Sequence, residues 1–301
     1  MDIGEHMVAV MLKKAEQVVA DVQREFRISH VVAAFSGGDD SIVSTHWAME
    51  RFPGAVAMTA DTKIGLQCAK DHSAKVCTDL GFDREVVWND PSGPPEGWQG
   101  EWIDRPTYYE EFVHNFGFPG PGMHPRMYQR LKQRAFRKIK HRLGKRPRGS
   151  RILIVSGIRH DESAIRAGYK RAYREEASEC FIWMNPFYFC SALDFEAYRQ
   201  EFGLPRNPVK ARCGISGECC CGTFAAIGEK EAYRVAEPSF AEYLDNLEKS
   251  VRERFPWGWG EKPPQWWVDA NRGQPHLRFP DDPLSQFMPA CVGCNRKVRG
   301  V

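Results

Sequence analysis

The 301-residue chain is 42% apolar, 12% aromatic and 27% charged, a balance that suits a folded protein with a core and excludes a disordered tail. No apolar run reaches the roughly 18 residues that a membrane-spanning helix needs, and residues 1–25 carry acids, lysines and helical spacing instead of an apolar leader, so a cytoplasmic protein without membrane contact is expected. In that reducing setting the ten cysteines point to a metal before disulfides, and the formal charge of +3 says little until its distribution is read.

Residues 8–26 place Met11, Ala15, Val18, Val19 and Val22 on one side of a predicted helix. An apolar strand over 31–35 then stops at Ser36-Gly37-Gly38, and the chain restarts as Asp39-Asp40-Ser41 in a helix running to about Arg51. A buried parallel strand that turns through small residues into a helix reads this way. The turn gathers backbone N–H groups and a helix N-terminus around one point, which suits a phosphate. An ordinary strand–turn–helix fits the short pattern equally well. A second strand, 55–59, ends at Ala60-Asp61-Thr62, a helix follows over 67–80, and 85–88 reads as a third strand. Alternation at this spacing predicts βαβ units, a parallel sheet and right-handed crossovers. Ligands of such sheets sit beyond the carboxyl ends of the strands, so Ser36, Ser41 and Asp61 are expected to face one crevice.

The Gly-, Pro- and Trp-rich stretch 89–105 is expected to loop over that rim, before helices at 107–117 and 126–143. Between Arg126 and Arg151 lie twelve Lys/Arg residues and no acid, interleaved with Tyr128, Leu131, Phe136, Ile139 and Leu143. A solvated basic surface and a helix tracking DNA or RNA phosphates both fit this block. Residues 151–156 form a clear strand that runs into Gly157-Ile158-Arg159-His160-Asp161-Glu162-Ser163, and a last strand is expected over 181–186. Near residue 204 the α/β pattern stops. A nucleotide-binding domain over 1–204 and a cysteine-rich, metal-binding region over 205–301, with a helix at 240–255, are expected.

Six cysteines fall in that second region: Cys213, Cys219, Cys220, Cys221, Cys291 and Cys294. Cys291-x-x-Cys294 presents two thiolates to one metal, and Cys219 with Cys221 does so across one residue. Together they make a closed four-sulfur set that fits Zn²⁺ or an Fe–S cluster, with Cys213 as the substitute ligand and Cys220 turned away as a spare thiol. Unligated thiols or a redox pair are the alternative. Trp257, Trp259, Trp266 and Trp267 are expected to pack over this centre, base stacking being the other use of such residues.

Ser36-Gly37-Gly38-Asp39-Asp40-Ser41 resembles the pyrophosphate loop of the PP-loop ATP pyrophosphatases. Ala60-Asp61-Thr62-Lys63 and Gly157-Ile158-Arg159, continuing to Arg166, resemble the later strand-end motifs of the phosphoadenosine phosphosulfate reductase-like branch, in the same order. The resemblance covers about residues 28–225. It implies a Rossmann-like fold of the adenine nucleotide alpha hydrolase kind and attack of a substrate oxygen on the α-phosphorus of ATP, with pyrophosphate leaving into the loop. It further implies nucleotide contacts from Ser36, Gly37, Gly38, Asp40, Ser41, Asp61, Arg159 and Arg166, with Asp40, Asp61 and Arg159 closest to the chemistry and Mg²⁺ on the phosphates. The loop's variable position, often Lys in related proteins, is Asp39 here. Its carboxylate costs electrostatic energy beside a polyphosphate unless Mg²⁺ or the 126–151 block offsets it. Gly217-Glu218-Cys219-x-Cys221-Gly222-Thr223-Phe224 resembles a cysteine motif of bacterial and phage members of this branch, which favours [4Fe–4S] over Zn²⁺. The reductases' terminal nucleophilic cysteine is expected to lack a counterpart here, because the last cysteine in Cys294-Asn295-Arg296-Lys297-Val298-Arg299-Gly300-Val301 belongs to a ligand-like pair. Their cysteine before the middle Leu-Lys segment is replaced by His124-Pro125-Arg126-Met127-Tyr128-Gln129-Arg130-Leu131-Lys132. An ATP-dependent sulfurtransferase acting on nucleic acid is therefore expected, like DNA phosphorothioation or tRNA thiolation enzymes and fed by a sulfur donor protein. A sulfonucleotide (PAPS/APS) reductase and a metal-stabilised nucleic-acid-binding protein with a degenerate loop are the alternatives.

Overall fold

The computed structural model describes residues 3–91, 93–94, 98–162, 164–167, 171–214 and 217–271. Its strands are β1 (Ile28–Ala34), β2 (Val56–Asp61), β3 (Arg84–Trp88), β4 (Arg151–Val155), β5 (Tyr173–Glu176) and β6 (Phe181–Met184). They join in one sheet in the order β3-β2-β1-β4-β6-β5, parallel throughout except for β5, which pairs antiparallel with β6. The α/β sheet and its parallel core are as the sequence predicts. The apolar runs of β1, β4 and β6 read continuously because both faces of a parallel sheet are covered. The sequence gives no apolar signal for β5, since Tyr173-Arg174-Glu175-Glu176 is a charged edge strand of the kind that discourages further pairing.

The helices, in chain order, are α1 (Ile3–Glu25), α2 (Asp39–Arg51), α3 (Gln67–Asp79), α4 (Tyr108–Phe116), α5 (His124–Tyr128), α6 (Arg134–Arg142), α7 (Ala164–Ala167), α8 (Ala192–Glu201), α9 (Pro208–Cys213), α10 (Glu229–Ala236), α11 (Pro238–Val251) and α12 (Gln265–Ala270). None is long and apolar enough to cross a membrane. α4 starts on a Thr107/Glu110 capping box that satisfies two of its orphan amides. The helix expected over 126–143 is interrupted: α5 passes through a π turn at Gln129–Gln133 before α6 begins. Such turns absorb one extra residue and often occur at functional sites.

One face of the sheet is covered by α1, α2 and α8. Met11, Ala15, Val19 and Val22 of α1 are buried with Ala33, Val43, Leu153 and Ile182. The other face is covered by α6, where Ala135, Phe136 and Ile139 pack on Val32, Met58, Ile154 and Trp183. A second core joins α4 and the π turn to the later chain. Tyr109, Phe112 and Leu131 are buried there with Val209, Cys220, Tyr233, Leu244 and Trp257, together with Ile64 and Leu66 from just beyond β2. Val209, Cys220, Tyr233, Leu244 and Trp257 thus share a core with the segment that leaves β2.

Candidate active site

β1 and β4 are neighbours, yet the chain leaves β1 toward β2 and β3 on one side and leaves β4 toward β6 on the other. The order therefore reverses between them, and a crevice opens outside their carboxyl ends, where open α/β sheets hold ligands. The loop from Ser36 to Ser41 forms its floor. Gly37 has φ +72°, and a Cβ there would also press within 3.0 Å of Ser73 Cβ, so the turn requires glycine twice over. Ser41 Oγ donates to Gly38 O at 2.8 Å and accepts from Ser36 Oγ at 3.0 Å and from Ser36 N–H at 3.3 Å. These hydroxyls knit the loop against the first turn of α2, whose N-cap Gly38 supplies no side chain to cover the leading amides. Gly157, at the end of β4, lets the second wall approach: its Cβ would stand 2.5 Å from Asp40 O.

Asp39 is fully engaged. Its Oδ1 accepts from Asn207 N–H at 2.8 Å and its Oδ2 lies 3.3 Å from Lys210 Nζ, while Asn207 Nδ2 donates to Gly37 O at 2.9 Å. The offset for its charge therefore comes from α9 and not from the 126–151 block. Asp40 Oδ2 accepts from Arg159 Nε at 3.2 Å. The same guanidinium donates through one NH₂ group to both oxygens of Asp161, at 2.8 and 3.0 Å, and lies over the Phe195 ring. Arg159 thus fastens the β4 exit to α2 and does not line the crevice. Arg166 does line it, buried and paired with Glu162.

Asp61 is held between two lysines. Lys63 contributes its backbone N–H (2.9 Å) and its ammonium (2.8 Å), and Lys70 Nζ lies at 3.3 Å. Burial works against its charge, but the Lys63 hydrogen bonds and the charges of Lys70 and Lys63 prevail and hold the carboxyl below its ordinary range. Lys63 adopts φ +58°, a costly conformation for a non-glycine residue, to make this turn. Asp61 accordingly stands beside the crevice and not among its lining residues. Sequence reasoning overlooked Lys132: the π turn delivers it, 5% exposed, to the crevice wall, where Nζ donates to Glu218 Oε2 at 2.6 Å. Its only signal in the sequence was a lysine on the apolar side of a basic helix. Among the described residues, four carboxylates (Asp39, Asp40, Glu162, Glu218) and three cations (Lys132, Arg166, Lys210) line the crevice.

Glu218 belongs to the cysteine turn, which is stitched onto the rim beyond β2. Thr62 Oγ1 donates to Glu218 O (3.0 Å), Leu66 N–H to Gly217 O (2.8 Å) and Cys220 N–H to Ile64 O (2.6 Å). Gly65 makes room for the crossing, since a Cβ there would lie 2.3 Å from Glu218 O. Behind the turn, Trp259 Nε1 donates to Cys220 O and Tyr109 Oη to Cys221 O, both at 2.9 Å. Cys220 is buried with its Sγ against Gly217 O, Cys221 Sγ lies 3.3 Å from Thr223 Oγ1, and Cys219 is half-buried. On α9, Cys213 Sγ lies 3.9 Å from Ala232 O. Among the described residues no three His, Cys, Asp or Glu side chains are grouped as metal ligands. Cys291 and Cys294 lie outside the described residues, so Cys219 and Cys221 constitute half of the expected four-sulfur set. Trp257, Trp259 and Trp267 pack into or onto the second core, whereas Trp266 is exposed.

The basic block is less exposed in charge than its sequence implies. Lys132, Arg137, Lys138, Lys140, Arg142 and Arg151, half of the twelve, pair with Glu218, Glu179, Asp90, Glu179, Glu85 and Glu175. Arg126 and Arg130 lie over the Phe116 and Tyr108 rings. Lys145 and Arg148, in the loop before β4, are exposed.

No protein-family model matches the sequence, and neither does any curated protein. Among solved structures, the chain is similar to the phosphoadenylyl-sulfate (PAPS) reductase of Candida auris in a phosphate complex. The TM-score is 0.44 with 15% identity, over 71% of this chain and 93% of that one. It is also similar to the U34-tRNA thiolase NcsA of Methanococcus maripaludis with its [4Fe-4S] cluster. There the TM-score is 0.43 with 15% identity, over 82% of this chain and 74% of that one.

Proposed function

We propose that this protein is an ATP-dependent sulfurtransferase that activates a nucleic-acid oxygen by adenylylation. The observation that carries the reading is the seating of the cysteine turn on the rim of the crevice, through Thr62–Glu218, Leu66–Gly217 and Cys220–Ile64, beside a glycine loop at the switch point of the sheet. The resemblance of the three strand-end motifs to PP-loop enzymes supports the same reading.

In this reading the amides of the loop and of the first α2 turn hold the β- and γ-phosphates, with Ser36 and Ser41 fixing the loop's shape. An acceptor oxygen attacks the α-phosphorus, the bond to the β-phosphate oxygen breaks, and pyrophosphate leaves with its charge met by those donors. Lys132 and Arg166, each buried and paired with a carboxylate, stand on the opposite wall. Mg²⁺ on the phosphates would be held by Asp40, whose orientation Arg159 fixes. A [4Fe–4S] cluster held by Cys219, Cys221, Cys291 and Cys294 would supply sulfur handling next to the activated atom. The nucleic acid would approach over exposed Lys145 and Arg148. Asp39, the strongest argument for a degenerate loop, is compensated in part by the Asn207 N–H and by Lys210.

The test is anaerobic incubation of the reconstituted protein with ATP, radiolabelled sulfide and DNA or tRNA. Label in the nucleic acid that depends on ATP is the expected result. Thioredoxin-dependent sulfite release from a sulfonucleotide, without labelled nucleic acid, would assign the protein to the reductases instead.

A further inference from the structure

We infer that Lys210 is the polyphosphate-binding cation of this site, supplied to the loop from α9 because the loop itself carries Asp39 where a lysine would serve. The inference deepens the reading of residues 36–41 as a phosphate loop and rests on it.

The geometry is built around Asn207. This side chain is 2% exposed, and its two ends do different work. Nδ2 donates to Gly37 O at 2.9 Å, which ties it to the loop. Oδ1 accepts from Val209 N–H at 2.8 Å and Lys210 N–H at 3.3 Å, which sets the first turn of α9. One amide therefore fixes the backbone of residue 210 relative to the glycine turn. Asp39 completes the arrangement: Oδ1 takes the Asn207 backbone N–H, and Oδ2 is left facing Lys210 Nζ at 3.3 Å.

The Asp39–Lys210 pair differs from the other cation pairs of the crevice. Lys132 and Arg166 are 7% and 8% exposed at the side chain, and each is locked to its carboxylate by burial. Lys210 is 51% exposed, on a flexible stem, and lines the crevice mouth. Its ammonium end is solvated although the Asp39 side chain is only 18% exposed, so the lysine is free to swing from Asp39 to a phosphate oxygen. Asp39 meanwhile keeps the hydrogen bond from Asn207 N–H and remains partly compensated. Asp39 is then a positioning residue that parks the lysine over the loop, and Lys210 is the group that touches the nucleotide. The lining needs such a group, because without Lys210 its four carboxylates face two cations, Lys132 and Arg166.

The test measures binding of pyrophosphate, ATP and adenosine to the full chain by calorimetry, with Mg²⁺ held constant. Lys210→Ala is expected to weaken pyrophosphate and ATP binding about tenfold or more and to leave adenosine binding unchanged, since only a charged hydrogen bond to phosphate is lost. Lys210→Arg is expected to restore most of the loss. The double variant Asp39→Lys with Lys210→Ala is expected to restore it as well, by returning the cation to the loop, a rescue that a structural role for Lys210 would not produce. Pyrophosphate binding equal in wild type and Lys210→Ala would overturn the inference while leaving the loop reading intact. A wild-type protein that binds neither pyrophosphate nor ATP would overturn the loop reading and this inference together.

Discussion

Gly65→Ala tests the coupling between the nucleotide crevice and the cysteine turn. The added Cβ would lie 2.3 Å from Glu218 O, 2.9 Å from Glu218 C and 3.0 Å from Gly217 O. All three are backbone atoms, so no flexible side chain can yield, and the turn must retreat by about 1 Å to reach ordinary contact. That retreat stretches three hydrogen bonds, Thr62–Glu218, Leu66–Gly217 and Cys220–Ile64. At about 0.5–1.5 kcal/mol each, the expected loss is about 2–4 kcal/mol of stability. Denaturant unfolding measures it against Gly120→Ala, where a Cβ meets nothing within 4 Å and the change should stay within about 0.5 kcal/mol. The displaced Glu218 would also leave Lys132, so ATP binding should weaken in the same variant. A Gly65→Ala protein with wild-type stability and wild-type ATP affinity would refute the seating of the turn on the rim.

Glu111 is fully buried, and burial together with the charge of Asp104 raises its carboxyl to about 7, against the opposing pull of Arg130 and Arg134. The folded state therefore keeps a proton that the unfolded chain loses at lower pH, so this group's contribution to stability falls as pH rises from about 5 to about 7 and then levels off. Glu111→Gln should abolish that slope in urea midpoints measured across the range; an unchanged slope would place the titration elsewhere. The crevice lining carries more carboxylates than cations, so ATP should bind at least about tenfold more weakly when EDTA removes Mg²⁺. Equal affinity with and without the metal would mean that another source of positive charge serves the site.

The parts of this fold that bury apolar surface were legible in the sequence. Residues 31–35 and 151–156 read as parallel strands because both faces of β1 and β4 are covered, whereas crossover handedness placed the ends of β1 and β2 on one rim. β5 was not legible, since an edge strand built from Tyr173, Arg174, Glu175 and Glu176 carries no buried face, and the π turn was not either, because its residues suit a regular helix equally well. The loop from Ser36 to Ser41 announced itself through its small residues. Its electrostatics did not: Asp39 meets Lys210 from far along the chain, and Lys132 looked like one more member of a basic block until burial against Glu218 set it apart. The same holds for Arg159. Its guanidinium pairs with Asp40 and with Asp161, two residues away in its own motif, contacts that its resemblance to a phosphate clamp did not reveal.

The central claim is that the glycine loop receives pyrophosphate, and the products of ATP turnover test it most directly. Anaerobically reconstituted protein given ATP, Mg²⁺, sulfide and a nucleic-acid acceptor should release pyrophosphate and AMP in equal amounts, with release abolished or strongly slowed in Ser41→Ala, which removes the hydroxyl that joins Gly38 to Ser36. ADP with phosphate as products, or pyrophosphate release that is indifferent to Ser41→Ala, would contradict it.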